Sequence, residues 1–524
     1  MGLVDARGAV PPRALLDVRV TGGVVRGVAE RGIHAWRGIP YAAPPLGRLR
    51  FRAPKAVVPW HGVRDASAFG DVAPQLYKGQ FRGVGPLTPA SEDCLSINVL
   101  AAADVLIPHR GLPVMVYIHG GGYSVGSSQD FTGQGNSFVR SRRVVYVSFN
   151  YRLGAFGYLH FTRYSSRKRP IDGNLGLRDQ VAALRWVRTN IRAFGGDPHN
   201  VTVFGQSAGG NAVTTLMATP SARGLFSRAI AQSPPPNAVY TQERADKWAG
   251  DFIPALRGVM LHDGQPLPDA ASPVNVLLAA TALQLNNASL ILQLSSPDAD
   301  PGTFCLAPVI DGNVIPERPL DAFRNGRAHR VPLIIGTNER EGSIFRGRVD
   351  ILPRSPARIR TIFERAPRSS RTRMHDAYPG LPGGHAATDF GGDYAFWYPS
   401  VVVADRHALV APVHVYRFDV APRLLHALGI DATHGIELFT LFGETDGTLA
   451  RTMSALGGRD AYIGAGERMR TYWLDFVCTG TFAESWPAYT ADARRTLILD
   501  EKDRVERDPQ RARRLAWTSF LPDM

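Results

Sequence analysis

The sequence around Ser207 restricts the fold more than any other part of the chain. An apolar run, Val201–Phe204, leads directly into Gly205-Gln206-Ser207-Ala208-Gly209, and small residues compatible with a helix follow. The pattern G-x-S-x-G after a buried strand is typical of a sharp strand-to-helix turn that exposes a serine hydroxyl above the sheet. Flanking glycines leave room for that turn, and the start of the next helix favours negative charge. The pentapeptide alone is common in glycine-rich loops, so its context carries the argument.

Other apolar runs predict strands that are buried on both faces of a largely parallel sheet. These runs cover residues 114–118, 144–147, 331–336 and 413–418. Ahead of Val201, apolar residues recur at helical spacing between Leu177 and Phe194. An alternation of strands and helices predicts an α/β fold. Near the N-terminus, residues 18–28 predict a hairpin around Gly22-Gly23.

The chain length bears on the number of domains. With 524 residues, the chain exceeds the roughly 250–300 residues at which single cores usually stop growing. One domain therefore requires insertions on a common scaffold. Residues 245–300 are helical in pattern and mix polar with apolar positions, which predicts a cap-like insertion. Because no internal repeat and no long linker is present, we expect one domain over residues 1–524.

The net charge of +14 allows two interpretations. A basic surface could attract an anionic partner such as nucleic acid or a membrane, or the arginine content could reflect a GC-rich genome. The densest stretch, from Arg354 to Arg373, has no series of interleaved aromatic residues, only Phe363, and matches no nucleic-acid motif. We therefore expect a solvated surface there and no nucleic-acid partner.

The cysteines and the N-terminus bear on the cellular compartment. The three cysteines are far apart and odd in number, which argues against a disulfide framework or a zinc site and fits a reducing compartment. No stretch approaches the roughly 18 apolar residues of a membrane helix. The first residues lack a basic start followed by an apolar run, so we expect a cytoplasmic protein without a signal peptide. The sequence favours neither a monomer nor a homodimer.

Several ordered motifs together resemble one known family. Residues 194–210, from Phe194 to Gly210, resemble the active-serine signature of the type-B carboxylesterases, the α/β-hydrolase branch that includes cholinesterases and bacterial p-nitrobenzyl esterases. Four earlier segments, which follow the family's order, are 38–42, 91–95, 119–122 (His-Gly-Gly-Gly) and 150–154. The resemblance covers about residues 18 to 490. It implies the α/β-hydrolase fold, a large and mostly parallel central sheet flanked by helices.

The resemblance also implies the site residues. The catalytic triad would be Ser207, Glu341 and His434, in the chain order of the α/β-hydrolases. Glu341 is favoured over Glu339 because the family's acid directly precedes a glycine. In the same way, backbone N–H groups of Gly121, Gly122 and Ala208 would form the oxyanion hole. Neither a metal nor an organic cofactor is expected.

The expected activity is hydrolysis of small carboxylic esters with short to medium acyl chains, through an acyl-enzyme on Ser207. Alternatives are a long-chain lipase, an amide or carbamate hydrolase with the same triad, and an inactive relative that acts as a binding module. A choline ester is disfavoured because Val84 stands where cholinesterases carry a tryptophan.

Three further features concern the surroundings of the site. The resemblance implies two ion pairs, Arg50 with Glu92 and Arg152 with Asp179, that hold loops near the site. Gln206 occupies a position often held by glutamate. Four aromatic residues could line the acyl pocket or belong to the core: Phe390, Phe396, Trp397 and Tyr398.

Overall fold

A sheet of thirteen strands runs through the structure, which is a computed structural model. The residues that it describes are 16–76, 84–85, 87–103, 111–130, 135–265, 272–345, 350–482 and 485–524. Within these residues, two further strands form a small separate sheet. The strands are β1 (Leu16–Val20), β2 (Gly23–Glu30), β3 (Ile33–Pro40), β4 (Val63–Asp65), β5 (Ser96–Ala102), β6 (Leu112–Ile118), β7 (Val145–Phe149), β8 (Gly196–Gln206), β9 (Arg228–Gln232), β10 (Tyr240–Thr241), β11 (Val309–Ile310), β12 (Leu333–Asn338), β13 (Val413–Phe418), β14 (Arg495–Leu499) and β15 (Arg504–Arg507).

Along the chain, the helices lie between these strands, except for the last helix, which follows β15. They are α1 (Asn136–Val139), α2 (Gly154–Gly157), α3 (Leu175–Asn190), α4 (Ala208–Met217), α5 (Gln242–His262), α6 (Pro273–Ala279), α7 (Ala282–Ala299), α8 (Pro319–Arg324), α9 (Pro356–Arg365), α10 (Arg371–Ala377), α11 (Gly384–Gly392), α12 (Tyr398–His407), α13 (Arg423–Ala427), α14 (Glu437–Leu441), α15 (Thr448–Met453), α16 (Arg459–Thr479) and α17 (Arg511–Phe520).

The centre of the large sheet is parallel. The strand order is β1-β2-β3-β5-β7-β6-β8-β9-β12-β13-β14-β15, with β4 paired to β2. Seven consecutive strands, from β7 to β14 in that order, pair in parallel. The strands at both ends of the sheet pair antiparallel, apart from the parallel pair of β2 and β4. The predicted α/β class is therefore confirmed. Since the carboxyl ends of parallel strands share one edge, residues that follow β8, β9 and β12 come together there.

Apolar side chains of the central strands alternate between two cores. In β6, Val114 and Val116 face one core, while Met115 and Tyr117 face the other. Helices α3 and α4 cover the first face, and α16 covers the second. Because both faces of the sheet are buried, its strands read as continuous apolar runs in the sequence.

Most predicted elements are present, with shifted ends. The hairpin forms as β1 and β2, and the predicted strand 413–418 is β13. The predicted helix from Leu177 to Phe194 divides into α3 and a short 3-10 turn, Ile191–Phe194. The region predicted as a cap, 245–300, contains α5, α6 and α7, and the long helices α5 and α7 pack against each other.

The arginine-rich stretch differs in part from its prediction as a solvated surface. Arg358 is buried, and its guanidinium pairs with Asp298 at 2.7 Å and donates to the carbonyl oxygens of Asp350 and Leu352. Arg354 also pairs with Asp350, at 2.9 Å. Two carboxylates outside the run, the distant Asp298 and the nearby Asp350, thus neutralise part of its charge. In the described residues, no helix is long and apolar enough to span a membrane.

Candidate active site

Ser207 lies on the turn between β8 and α4. Its backbone has φ +59° and ψ −123°, a conformation that a residue with a side chain adopts only under strain. The turn is held at both sides: the N–H of Ser207 donates to the carbonyl oxygen of Gln232 at 2.9 Å, and its carbonyl oxygen accepts from the N–H of Asn211 at 2.8 Å. The hydroxyl therefore stands at the carboxyl end of the sheet, next to the first turn of α4.

The glycines on both sides of the turn are required by close packing. A Cβ atom on Gly209 would lie 2.0 Å from the carbonyl oxygen of Ile118, and one on Gly205 would lie 2.6 Å from the same oxygen. Because backbone atoms make these contacts, a side chain could be accommodated only by moving β6 or α4. The two glycines of the motif thus serve the packing of the turn.

Glu341 and His434 are in direct contact. The distance from His434 Nδ1 to Glu341 Oε2 is 2.5 Å, although 93 residues separate the two along the chain. Glu341 follows β12, and His434 lies on the turn that precedes α14. A carboxylate at Nδ1 holds the proton on that nitrogen, which leaves a lone pair on Nε2. Within the described residues, no hydrogen bond joins Ser207 Oγ to His434.

The second carboxylate oxygen of Glu341 is also fixed. Oε1 accepts hydrogen bonds from the backbone N–H of Asn338 at 2.7 Å and from the hydroxyl of Ser233 at 2.6 Å. Ser233 has φ +44° and directly follows β9, the neighbour of β12 in the sheet. The sequence alone did not indicate that this hydroxyl binds the acid.

A second carboxylate, that of Glu437, lies beneath the pair. It is fully buried, and it accepts from the side-chain amides of Asn338 at 2.7 Å and Gln232 at 3.2 Å. Burial raises the pKa of Glu437 to about 7, against the opposing effect of the Asn338 hydrogen bond. Gln232 in turn accepts from the indole of Trp473 at 3.3 Å. This network attaches the turn that carries His434 to the ends of β9 and β12.

The glycine-rich segment after β6 supplies free backbone donors. Gly121 and Gly122 have φ values of +109° and +60°, in the region that favours glycine. The carbonyl oxygen of Gly121 accepts from the N–H groups of Ser124 and Val125, which closes the turn. In the described part of the chain, the N–H groups of Gly121, Gly122 and Ala208 donate to no other protein group. Such unpaired donors can bind a developing oxyanion.

His119, the histidine that opens this segment, has a structural role. His119 is buried and stacks on Tyr151, with ring centroids 4.3 Å apart. Its Nδ1 lies 3.0 Å from the carbonyl oxygen of Gly120, and burial lowers its pKa to about 4. His119 is therefore uncharged at neutral pH and positions the backbone of the glycines.

A cavity open to solvent lies beside Ser207. Ser207, Ala208 and Gly122 form one wall, and the rings of Phe345 and Phe396 form another. The two rings also contact His434, with ring centroids at 5.3 and 4.4 Å. The cavity wall is mostly apolar, which suits the hydrocarbon part of a small molecule.

Of the four aromatic residues considered for this pocket, only Phe396 lines it. Phe390 packs on Trp517 at 4.9 Å between ring centroids, and Tyr398 stacks on the same indole at 5.8 Å. Trp397 lines a separate cavity beside β12 and β13. The other three side chains therefore contribute to packing outside this cavity.

Both ion pairs expected near the site are present. Arg152 and Asp179 are 3% and 0% exposed and make two parallel hydrogen bonds of 2.7 and 2.6 Å. Arg50 binds Glu92 in the same bidentate way, at 2.8 and 2.9 Å. Arg50 also donates to carbonyl oxygens at the end of α6, which ties the cap-like helices to the scaffold.

Comparisons with known proteins show which family this chain resembles along its length. The carboxylesterase family matches residues 15–372. The chain is 37% identical to para-nitrobenzyl esterase of Bacillus subtilis (strain 168), over 94% of this chain and 96% of that protein. It is 31% identical to phenmedipham hydrolase of Pseudarthrobacter oxydans, over 93% and 96% of the two chains. A solved structure of a PNB esterase superimposes with a TM-score of 0.83 at 34% identity, covering 95% of this chain and 99% of that chain.

Proposed function

This chain belongs to the carboxylesterase family and is a carboxylic-ester hydrolase, and on that premise we propose that it works through an acyl-enzyme on Ser207. The observation that carries the proposal is the 2.5 Å contact between His434 and Glu341, close to a serine that a strained turn holds beside an apolar cavity. A serine hydroxyl is a weak nucleophile until a base removes its proton. An imidazole whose Nδ1–H binds a carboxylate is such a base.

The proposed reaction has two halves. In the first, Ser207 Oγ attacks the ester carbonyl, its proton passes to His434 Nε2, and the imidazolium then protonates the departing alcohol. In the second, His434 removes a proton from water as the water oxygen attacks the acyl-enzyme. The bond between the acyl carbon and Ser207 Oγ then breaks, the imidazolium returns its proton to Oγ, and the carboxylic acid leaves. Glu341 holds the imidazole in the required tautomer and stabilises its cation throughout.

The negatively charged oxygen of each tetrahedral intermediate needs hydrogen-bond donors to stabilise it. We assign this role to the N–H groups of Gly121, Gly122 and Ala208, which are unpaired in the described structure. Gly122 and Ala208 line the cavity together with Ser207, and Gly121 directly precedes Gly122. Removal of one such donor typically costs about 3–4 kcal/mol at the transition state. These glycines would thus contribute to the rate through the backbone alone.

For the substrate, we propose neutral esters with short to medium acyl chains. The cavity beside Ser207 has a mostly apolar lining, which suits an acyl chain, and Phe345 and Phe396 are part of that lining. A second candidate is hydrolysis of amides or carbamates by the same three residues. The second candidate is supported by the 31% identity to a protein whose name, phenmedipham hydrolase, gives a different substrate from that of para-nitrobenzyl esterase.

The test is a series of p-nitrophenyl esters from acetyl to palmitoyl, measured with the wild-type protein and with Ser207→Ala. The proposal predicts serine-dependent hydrolysis with the highest kcat/KM at short to medium chains. A maximum at palmitoyl would instead support a long-chain lipase. A p-nitroanilide and an aryl carbamate, measured in parallel, would reveal the second candidate by rates comparable to those of the esters.

We further propose a single domain, a cytoplasmic location and no nucleic-acid partner. One apolar core contains residues from Val20 to Phe520, which supports the single domain with α5, α6 and α7 as its insertion. All three cysteines are free, which fits a reducing compartment. Pairing of Arg354 and Arg358 with aspartates leaves less basic charge for a polyanion.

A further inference from the structure

The side chain of Gln206 lies against the proposed base. Gln206 is the last residue of β8 and is 5% exposed. Its amide nitrogen, Nε2, lies 3.2 Å from His434 Nε2. Two glycines border the amide: a Cβ atom on Gly120 would lie 3.2 Å from Oε1, which is a tight contact, and one on Gly435 would lie 3.5 Å from Nε2, which is an ordinary contact. The amide is therefore held between the oxyanion segment and the turn that carries His434.

The direction of this hydrogen bond follows from the tautomer. His434 Nδ1 faces the carboxylate of Glu341 at 2.5 Å and therefore carries the proton. In the uncharged ring, Nε2 then has only a lone pair, and Gln206 can only donate to it. This is the same lone pair that has to take the proton of Ser207. When Nε2 is protonated, the two N–H groups face each other and this hydrogen bond is lost.

We propose that Gln206 is a further catalytic residue, whose amide N–H keeps His434 in its unprotonated form and thereby extends ester hydrolysis to lower pH. The inference rests on the proposed role of His434 as the base. A donor at Nε2 stabilises the uncharged imidazole relative to the imidazolium. The amide must then yield the lone pair to the Ser207 hydroxyl when the substrate is attacked.

Other groups around His434 act in the opposite direction or are neutral. The carboxylate of Glu341 is in contact with the ring, and that of the buried Glu437 lies three residues further along the chain; both favour the imidazolium when they are charged. Phe345 and Phe396 present uncharged rings. Among these contacts, the Gln206 amide is the group that favours the free base.

The experiment compares pH profiles of kcat/KM for p-nitrophenyl acetate in the wild type, Gln206→Met and Gln206→Glu. Methionine keeps the length of the side chain but removes the donor, and we expect the acid limb to move up by about half to one pH unit, the size of one hydrogen bond. Glutamate is isosteric but places a carboxylate at Nε2, which favours the imidazolium. We expect the acid limb to move to higher pH by about one to three units. Gln242→Glu, an exposed change of equal charge on α5, should leave the limb in place.

A direct readout separates His434 from Glu437. The Nδ1–H of His434 should give a low-field proton NMR signal that is absent in His434→Gln. In the Gln206 variants, the midpoint of the pH dependence of this signal should shift in the same direction as the acid limb of kcat/KM. The proposal is overturned if Gln206→Met leaves both midpoints unchanged. It is also overturned if the midpoints move to lower pH, since that would mean that the amide presents its oxygen to an imidazolium. Full activity of Ser207→Ala would instead contradict the proposed function.

Discussion

The carboxylate of Glu341 binds the imidazole of His434 at 2.5 Å while two other groups, the N–H of Asn338 and the hydroxyl of Ser233, hold its second oxygen. Each carboxylate oxygen therefore has its own partners. An acid fixed in this way can orient the imidazole without moving during the reaction. The arrangement depends on β9 and β12 being neighbours, because Ser233 follows one strand and Glu341 follows the other.

Glutamine substitutions should show which of two neighbouring glutamates, Glu341 or Glu339, is the catalytic acid. We expect Glu341→Gln to lower kcat for p-nitrophenyl acetate by about 10³- to 10⁴-fold, because an amide no longer fixes the required tautomer. The matched variant is Glu339→Gln, two residues earlier, which should keep activity within about threefold because it does not contact the imidazole. A larger loss in Glu339→Gln than in Glu341→Gln would mean that Glu339 is the acid.

The oxyanion segment can be tested at Gly121. In Gly121→Ala, the new Cβ atom would lie 2.2 Å from the carbonyl oxygen of Val125, so the backbone must shift and its donor is displaced. We expect kcat/KM to fall by about 10²- to 10³-fold, the usual effect of losing one such donor.

Gly224→Ala is the control for the backbone cost. Gly224 also has a left-handed conformation, φ +76°, but a Cβ atom there would meet no atom within 4 Å. An alanine there pays the same kind of conformational cost as in Gly121→Ala, so it should lower the melting temperature but leave kcat/KM unchanged. Equal losses of activity in the two variants would remove Gly121 from the oxyanion hole.

The acyl preference should depend on Phe396. Its ring lines the cavity beside Ser207, so Phe396→Ala should admit longer chains. We expect the ratio of kcat/KM for the decanoyl ester to that for the butyryl ester to rise about tenfold or more, since contacts with single methylene groups are worth 10-fold or more in specificity. Leu409→Ala, at a residue that is 75% exposed, should leave the ratio unchanged. An unchanged ratio in Phe396→Ala would place the acyl chain elsewhere.

Several features of this fold could be predicted from the sequence because they depend on local pattern. The strands β6 and β13 are buried on both faces, and both appear as apolar runs with nearly the observed bounds. By contrast, β8 begins at Gly196, five residues before the apolar run, because Leu112 of β6 pairs with Gly196. That pairing joins polar residues to the strand, and hydrophobicity alone cannot indicate it.

The surroundings of the candidate site were harder to predict because they depend on distant contacts. Ser233 and Glu341 are 108 residues apart, and their hydrogen bond requires the positive φ of Ser233. Gln206 was visible in the sequence only as the loss of a charge beside Ser207. Its contact with His434 depends on the position of the turn that precedes α14, 228 residues along the chain, and no local sequence signal indicates it.

The buried ion pair should matter for stability. Arg152 and Asp179 are almost fully buried, so Asp179→Asn leaves an uncompensated guanidinium, and we expect the free energy of unfolding to fall by about 3–5 kcal/mol. In the exposed pair of Lys247 and Asp251, with side chains 65% and 51% accessible, Asp251→Asn should cost less than about 0.5 kcal/mol. Urea titration of both variants measures the difference, and equal values would contradict the structural role of the buried pair.

The measurement that tests the central claim most directly is covalent labelling of the serine. The wild-type protein and Ser207→Ala would be treated with diethyl p-nitrophenyl phosphate, and the labelled residue would be identified by mass spectrometry together with residual ester hydrolysis. We predict one phosphoryl group on Ser207, loss of activity in step with labelling, and neither label nor activity in folded Ser207→Ala. A label on another residue that abolishes activity, or full ester hydrolysis by Ser207→Ala, would contradict the assignment of Ser207 as the nucleophile.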